Sequence, residues 1–214
     1  MPHLLHLDSS ADPRTSASRT VTAAFVEAWR ARGGDFTVTS RDLQADPPPH
    51  LPDALLHWAP ELRTPGEVAD PAAEAAQQAY LDELLAADVL LLGAPMYNWS
   101  LPSTLKAWVD HVHVLGTTVP FGPGVSPLAG RPAVVVSSRG GAYDDASPTA
   151  GWDHTVPPLQ LVLGGSFGMT VEVVTVQLTL AGRLARLADR RDEAAADAAA
   201  ARARAVELAG SLGG

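Results

Sequence analysis

Short apolar runs and longer stretches with helical spacing succeed one another along this chain, the pattern of a parallel sheet covered by helices on both faces. Leu4 to Leu7 reads as the first strand. After the loop Ser9 to Ser18, apolar residues recur at Val21, Ala24, Phe25, Ala28 and Trp29, which predicts an amphipathic helix stopped by Gly33-Gly34. Phe36 and Val38 alternate with Thr37 and Thr39, so Asp35 to Ser40 is expected near a sheet edge. Asp46-Pro47-Pro48-Pro49 then forbids regular structure and opens an excursion to about Pro71. Connections of that length in a compact domain are functional flaps or interfaces, and an interface is favoured here. Ala72 to Ala87 reads as a helix, Asp88 to Gly93 as the third strand, and Pro102 to Leu115 as a helix with Ser100 as its candidate N-cap. Beyond the Gly/Pro loop Pro120 to Pro127 come a fourth strand ending at Ser137, a short helix around Thr155 to Leu163, a fifth strand Met169 to Val176 and an Ala-rich helix Arg183 to Ala209. No repeat or linker interrupts this order, so residues 1–214 are read as one α/β domain, a doubly wound five-stranded parallel sheet.

Composition narrows the partners. A chain of 214 residues with 46% hydrophobic content is large enough for a sizeable core. Fifteen Lys and Arg against 24 Asp and Glu give a net charge of -9, which argues against nucleic acid or an anionic membrane surface as partner. With no cysteine there is no disulfide, thiol nucleophile or thiolate metal site. The opening Met1 to Asp8 is too short and too soon charged for a signal-peptide core, and no uncharged run reaches the ~20 apolar residues of a membrane span. A soluble, cytoplasmic protein is the plain expectation.

The chemistry collects at three strand ends. In such a sheet ligands sit outside the carboxyl ends of strands one, three and four. The first end carries the hydroxyl-rich loop Ser9 to Ser18, the third runs directly into Ala94-Pro95-Met96-Tyr97-Asn98-Trp99, and the fourth into Ser138-Arg139-Gly140-Gly141-Ala142-Tyr143. Hydroxyls and N–H groups at a helix start suit a phosphate, with Arg14 as an added charge, although Ser16 or Ser18 could simply cap the helix. A GxGxxG fingerprint is missing after the first strand and no GxSxG elbow occurs, so a Rossmann dinucleotide site and a serine hydrolase are disfavoured. Among the seven histidines, His111 and His113 are two apart and His3 and His6 three apart, spacings that diverge, so no metal site is expected.

At these turns the chain resembles the FMN-dependent NADH azoreductases and NAD(P)H:quinone oxidoreductases of the flavodoxin-like fold. Ala94 to Trp99 is similar to the family's A-P-M-Y-N-F turn, Leu101 to Asp110 to its following helix, and Ser138 to Gly141 to its S-R-G-G turn, in the same order and spacing. The resemblance covers roughly Leu4 to Val176 and implies that Ser10, Ser16, Ala17 and Ser18 hold the FMN phosphate. It implies that Pro95, Met96, Tyr97, Asn98, Trp99, Ser138, Arg139, Gly140 and Gly141 surround the flavin ring. These residue types suit a flat ring with one polar edge: backbone groups and Asn98 can meet that edge, aromatic and thioether groups can meet the faces, and Gly140-Gly141 allows close backbone approach.

The implied activity is a two-step exchange in one pocket. NADH reduces FMN and leaves, then two electrons pass to a quinone or azo compound, with NADPH an alternative donor and no residue assigned as an obligatory acid. The family also implies a homodimer, and His57 and Trp58 in the long excursion are candidates for a wall contributed across it. The substrate side is assigned to Val119, Phe121, Tyr143 and Trp58. Trp99 stands where the family usually has phenylalanine, and Val119 replaces an aromatic after Thr118, which widens the acceptor side unless Phe121 fills it. His154 is placed by sequence order near the flavin. The tail departs furthest, with Gly182 and then an Arg/Ala/Asp pattern expected to be a solvated surface helix. Two other classes stay open: a flavodoxin-like electron carrier serving protein partners, and a fold that binds flavin poorly.

Overall fold

The computed structural model describes residues 1–143 and 147–213. Five parallel strands, β1 His3–Asp8, β2 Thr37–Asp42, β3 Val89–Gly93, β4 Pro132–Ser138 and β5 Thr170–Val176, lie in the order β2-β1-β3-β4-β5. The reversal of direction at β1 and β3 makes the crevice between their carboxyl ends the place where a loop from each half can meet. Every residue of β3 is buried, because helices cover both its faces and leave no solvated side to alternate with.

Two apolar layers sandwich the sheet. On one side α1 Ala17–Ala31 and α5 Arg191–Ser211 pack Phe25, Trp29, Ala205 and Ala209 against Leu4, Leu91 and Val134. On the other, α2 Pro71–Ala86, α3 Ser103–Val112 and the short α4 Val156–Gln160 enclose Trp108, Leu84, Leu159 and Phe167 around Leu5, Leu90 and Val135. Alternate residues of each strand therefore feed opposite cores. No helix among the described residues is long and apolar enough to cross a membrane.

Several boundaries differ from the expectation. β2 lies two residues later than Asp35 to Ser40, since it pairs with β1 from His3↔Thr37 to Asp8↔Asp42 and that register fixes where it ends. Ser100 is not the cap of α3. Its amide is engaged with Tyr97 in a tight turn, and the helix starts after Pro102, whose fixed φ suits that position. The helix stops at Val112, before Leu115, because residues 113–119 fold back on the excursion. The π-helical turn Leu161–Ser166 extends α4 through Gly164-Gly165. The charged final segment begins as a 3-10 turn, Ala185–Arg190, and only then becomes α5, one face of which is buried on α1 through Ala201, Ala205, Leu208 and Ala209. Most of its charges are solvated, with Asp197 half-buried, and only the alanines of that one face are core.

The long excursion is ordered by two 3-10 turns, Ala54–His57 and Pro60–Leu62, with Leu56 and Ala59 buried. Gln77 of α2 donates to the carbonyls of Leu56 and His111 at 2.8 and 2.9 Å, pinning it to the α2–α3 layer. Ala59 N–H donates to Leu115 O at 2.8 Å and Leu115 N–H to His57 O at 2.9 Å. Gly116 permits this approach. Its φ is +88°, and a Cβ there would meet Leu62 Cδ1 at 2.5 Å and Ala59 Cβ at 2.9 Å. Replacing Gly116 with Ala is expected to cost about 2 kcal/mol or more, from left-handed strain plus overpacking, read as a lower urea midpoint with unchanged slope.

Candidate functional site

β1 and β3 end level with one another, Asp8 pairing with Gly93, and β4 runs two residues further, from Val136 opposite Gly93 to Ser138. A Cβ on Gly93 would lie 2.3 Å from Asp8 Oδ1, so the buried carboxylate fills the space that a side chain would need. Thr22 Oγ1 donates to Asp8 at 2.9 Å, while His6 Nε2 stands 3.2 Å and Arg19 3.7 Å from it. Arg19 grips both oxygens of Asp42 at 2.8 Å and donates to Ser10 O at 2.8 Å. One guanidinium thus joins the ends of β1 and β2 to the hydroxyl loop. That bidentate bond raises the Arg19 pKa and, acting on the other partner, holds the Asp42 carboxyl below its ordinary value.

The loop fixes itself before α1 begins. Asp12 accepts from Thr15 Oγ1, from Thr15 N–H at 3.0 Å and from Arg14 N–H at 2.9 Å, which lower its pKa to about 2. Its negative charge is turned onto the loop's own donors. Ser16 caps α1, accepting from Arg19 N–H at 3.3 Å, and its hydroxyl pairs with that of Ser18 at 3.1 Å. The capping alternative therefore holds for Ser16, yet Ser16 also lines the cleft described below. The amides of Ala17 and Ser18 precede the intrahelical ladder and point where an anion is favoured.

The turn after β3 carries backbone strain. Tyr97 and Ser100 exchange both backbone hydrogen bonds at 3.0 Å, and the residues between them, Asn98 and Trp99, have φ of 49° and 66°. This is the mirror-image two-residue turn, which glycine and asparagine adopt easily and tryptophan does not. Tyr97 reaches back to the loop, its hydroxyl accepting from Ala11 N–H at 2.9 Å and pairing with Ser10 Oγ at 3.1 Å. Met96 N–H donates to Ser138 O at 2.8 Å and locks this turn to the next.

In that next turn Arg139 N–H donates to Val176 O, while the carbonyls of Arg139, Gly140 and Gly141 accept from Thr179, Leu180 and Leu178. The carbonyls are consumed inside the protein, so the N–H groups of Gly140 and Gly141 are what the turn can offer a ligand. A Cβ on Gly140 would meet Leu180 Cδ1 at 2.7 Å, whereas one on Gly141 meets nothing nearer than Tyr143 at 3.8 Å. Arg139 directs its guanidinium to Asp153, and both side chains are largely buried.

A cleft of about 420 Å³ brings together Ser10, Ser16, Ala17, Pro95, Tyr97 and Ser138 from the sequence expectation. Asp12, Thr15, Thr179, Leu180, Gly182 and Arg183 complete its wall and were missed. The only sequence signal for the last four was the glycine break at Gly182 after the fifth strand. Met96, Asn98, Trp99, Gly140 and Gly141 belong to the adjoining turns; Arg139, Trp58, Val119 and Phe121 do not line the cleft. Trp58 and Phe121 instead stack edge to face at 5.9 Å, 37% and 62% exposed, beside the Leu115–Val119 bridge. Tyr143 N–H donates to Gln177 Oε1 at 3.1 Å. His154 does reach the β3 turn, donating its N–H to Trp99 O at 2.9 Å. Hydroxyls at a helix start, one arginine and two turns of N–H and aromatic groups fit a phosphorylated flat ring such as FMN. Among the described residues no three of His, Asp and Glu are grouped to hold a metal.

The strand order and the decorated ends of β1, β3 and β4 define a flavodoxin-like protein, and the flavodoxin-like fold family model matches residues 2–206. An FMN-dependent NADH:quinone oxidoreductase of Kineococcus radiotolerans is 58% identical over 99% of this chain and 100% of its own length; one from Frankia alni is 43% identical over 96% and 100%. The chain belongs to the FMN-dependent NADH:quinone oxidoreductase and azoreductase family. An azoreductase from Bacillus anthracis has the same fold at TM-score 0.81 and 21% identity, covering 99% of this chain and all of that one. An FMN-dependent NADH-azoreductase from the same species, solved in complex with FMN, gives 0.77 at 19% identity over 98% and 100%.

The Arg19–Asp42 pair yields a pH prediction. A carboxyl held below its ordinary value stabilises the fold fully above the unfolded carboxylate range and loses that contribution as pH falls through its folded value. Arg19→Met should therefore lose about 1 kcal/mol at neutral pH, the exposure of Asp42 screening the pair, with the gap to wild type in urea unfolding narrowing as the pH is lowered through the carboxylate range.

Proposed function

We propose that this protein is an FMN-dependent NADH:quinone oxidoreductase that also reduces azo compounds, NADPH being a second donor. The observation that carries this reading is the single cleft in which the α1 start and the β3 and β4 turns converge. Bound FMN would supply the redox chemistry, taking a hydride from NADH and returning two electrons to the acceptor, so that NADH, a proton and a quinone become NAD⁺ and a hydroquinone.

The chain's own residues bind and orient. The Ser10 and Ser16 hydroxyls and the Ala17 amide are assigned to the phosphate, with Arg183 lending charge at the wall; Ser18, which the sequence also assigned there, is fully buried outside the cleft and acts through its 3.1 Å hydroxyl contact with Ser16. The Gly140 and Gly141 amides and the Asn98 side chain are assigned to the polar ring edge, and Pro95, Met96, Tyr97 and Trp99 to its apolar contacts, beside Ser138. Arg139 contributes through its backbone. No side chain is assigned as an obligatory acid, and water supplies protons. Donor and acceptor use the same face in turn, which is a ping-pong scheme.

Trp58, Val119 and Phe121 lie away from this cleft, so in a single chain they do not wall it. Their place in the proposal is across a homodimer, where the exposed Trp58–Phe121 pair of one copy closes the acceptor side of the other, with Tyr143 near Gly141. A cytoplasmic location accords with NADH as donor.

Three measurements test the proposal. Mixed anaerobically with FMN, the protein should bleach the visible flavin band on adding NADH and regain it on adding a benzoquinone. FMN binding without bleaching by NADH or NADPH would favour the electron carrier. Gly141→Val should raise the FMN Kd about tenfold, ~1.4 kcal/mol, without loss of stability, since the packing around that Cβ is open. Tyr97→Phe removes the hydroxyl that joins the β3 turn to Ser10 and Ala11, and should weaken FMN binding about five- to tenfold in the same titration.

A further inference from the structure

Trp152 is held beside Trp99 by the two residues that follow it. The two indoles meet edge to face, 5.7 Å between centroids at 79°, and are 49% and 48% exposed. His154 N–H donates to Trp99 O at 2.9 Å and Ser100 Oγ to His154 O at 3.4 Å. Asp153, between Trp152 and His154, is fixed twice: one oxygen accepts from Thr155 and Val156 N–H at 2.7 and 3.0 Å at the start of α4, and the other pairs with Arg139. Two large aromatic side chains left half in water, yet anchored this firmly, form a preorganised apolar surface rather than a loose one.

The perpendicular pair makes an aromatic corner. A flat molecule stacked on one indole presents its rim to the other, and aromatic pairs favour both offset-stacked and edge-to-face geometry. The contact grows with the length of the flat molecule: a single six-membered ring covers part of one indole, whereas two fused rings can span it and reach the corner. Trp152 is outside the 420 Å³ cleft but touches the turn that forms its ring end.

We propose that Trp152 is an acceptor-specificity residue that favours fused two-ring quinones over single-ring ones, and that Arg139 and Asp153 are positioning residues that set its indole against Trp99. This rests on the oxidoreductase reading above. Arg139, which the sequence assigned to the cofactor, acts here through its side chain on the acceptor wall.

The test is steady-state NADH-dependent reduction of a naphthoquinone and a benzoquinone, with FMN affinity and the anaerobic rate of flavin bleaching by NADH measured on the same samples. Trp152→Ala should lower kcat/KM for the naphthoquinone about tenfold, through KM, while the benzoquinone value, the FMN Kd and the bleaching rate change less than twofold. Trp152→Phe should recover most of the loss. Asp153→Asn, which keeps a cap acceptor but removes the charge facing Arg139, should raise the naphthoquinone KM severalfold with the benzoquinone KM unchanged. Equal losses for both quinones in Trp152→Ala, a Trp152→Phe variant no better than Trp152→Ala on the naphthoquinone, or a wild-type ratio of the two quinones in Asp153→Asn would overturn the inference while leaving the oxidoreductase reading intact. Wild-type protein that binds FMN but is not bleached by NADH or NADPH would overturn both.

Discussion

The binding end of this protein depends on the missing side chain of Gly93. Asp8 places its carboxylate in that space, 2.3 Å from where a Cβ would be, and from there the contacts run outward. A buried charge needs partners, and the Thr22 hydroxyl and the Arg19 guanidinium provide them. Arg19 in turn fixes Ser10 O and Asp42, and Ser10 meets the Tyr97 hydroxyl. The hydroxyl loop is thus seated on a charged network beneath it and braced by the neighbouring turn, so its donors are arranged before any ligand arrives.

Strain is concentrated in the same region. Asn98, Trp99 and Leu178 are the non-glycine residues with left-handed φ among those described, and they lie in the two segments that flank the site. Each conformation is overdetermined: paired Tyr97–Ser100 bonds close the first turn, and Leu178 N–H is tied to Gly141 O. A cost of order 1–3 kcal/mol per strained residue is held by surrounding structure and keeps aromatic side chains where solvent would otherwise be favoured.

Much of this was legible in the sequence because burial in a parallel sheet leaves continuous apolar runs, and because the residues following Leu7, Gly93 and Ser138 are chemically conspicuous. The strand ends, and with them half of the cleft's lining, followed from that. Ser100 misled because a hydroxyl before a helix usually caps it, and nothing local announces a left-handed turn at an Asn-Trp pair. Arg183, Thr179 and Trp152 escaped because their partners are remote along the chain; the contact of Trp152 with Trp99 spans 53 positions. The partner of the Arg139 side chain, Asp153, is likewise one that spacing alone does not reveal. The alanines of the last helix looked featureless since small side chains carry little moment, although they are what allows α5 to lie close on α1.

That alanine face has a further consequence. A smooth ridge gives a helix a plane to rest on but few notches to say how far along it should sit. Axial position is indexed instead at the two ends: Asp197 accepts from Gln177 N–H at 2.6 Å near the start, and Arg32 clasps the carbonyls of Ala209 and Leu212 at the finish. Gly213, with φ +69°, then tucks under Trp29, where a Cβ would stand 2.5 Å from the indole. Gln177 also accepts from Tyr143 N–H, so the first index mark is shared with the segment beyond the β4 turn. The last helix behaves as a sliding bolt on a polished track, with its catch at the final turn and its tip one hydrogen bond away from the binding end.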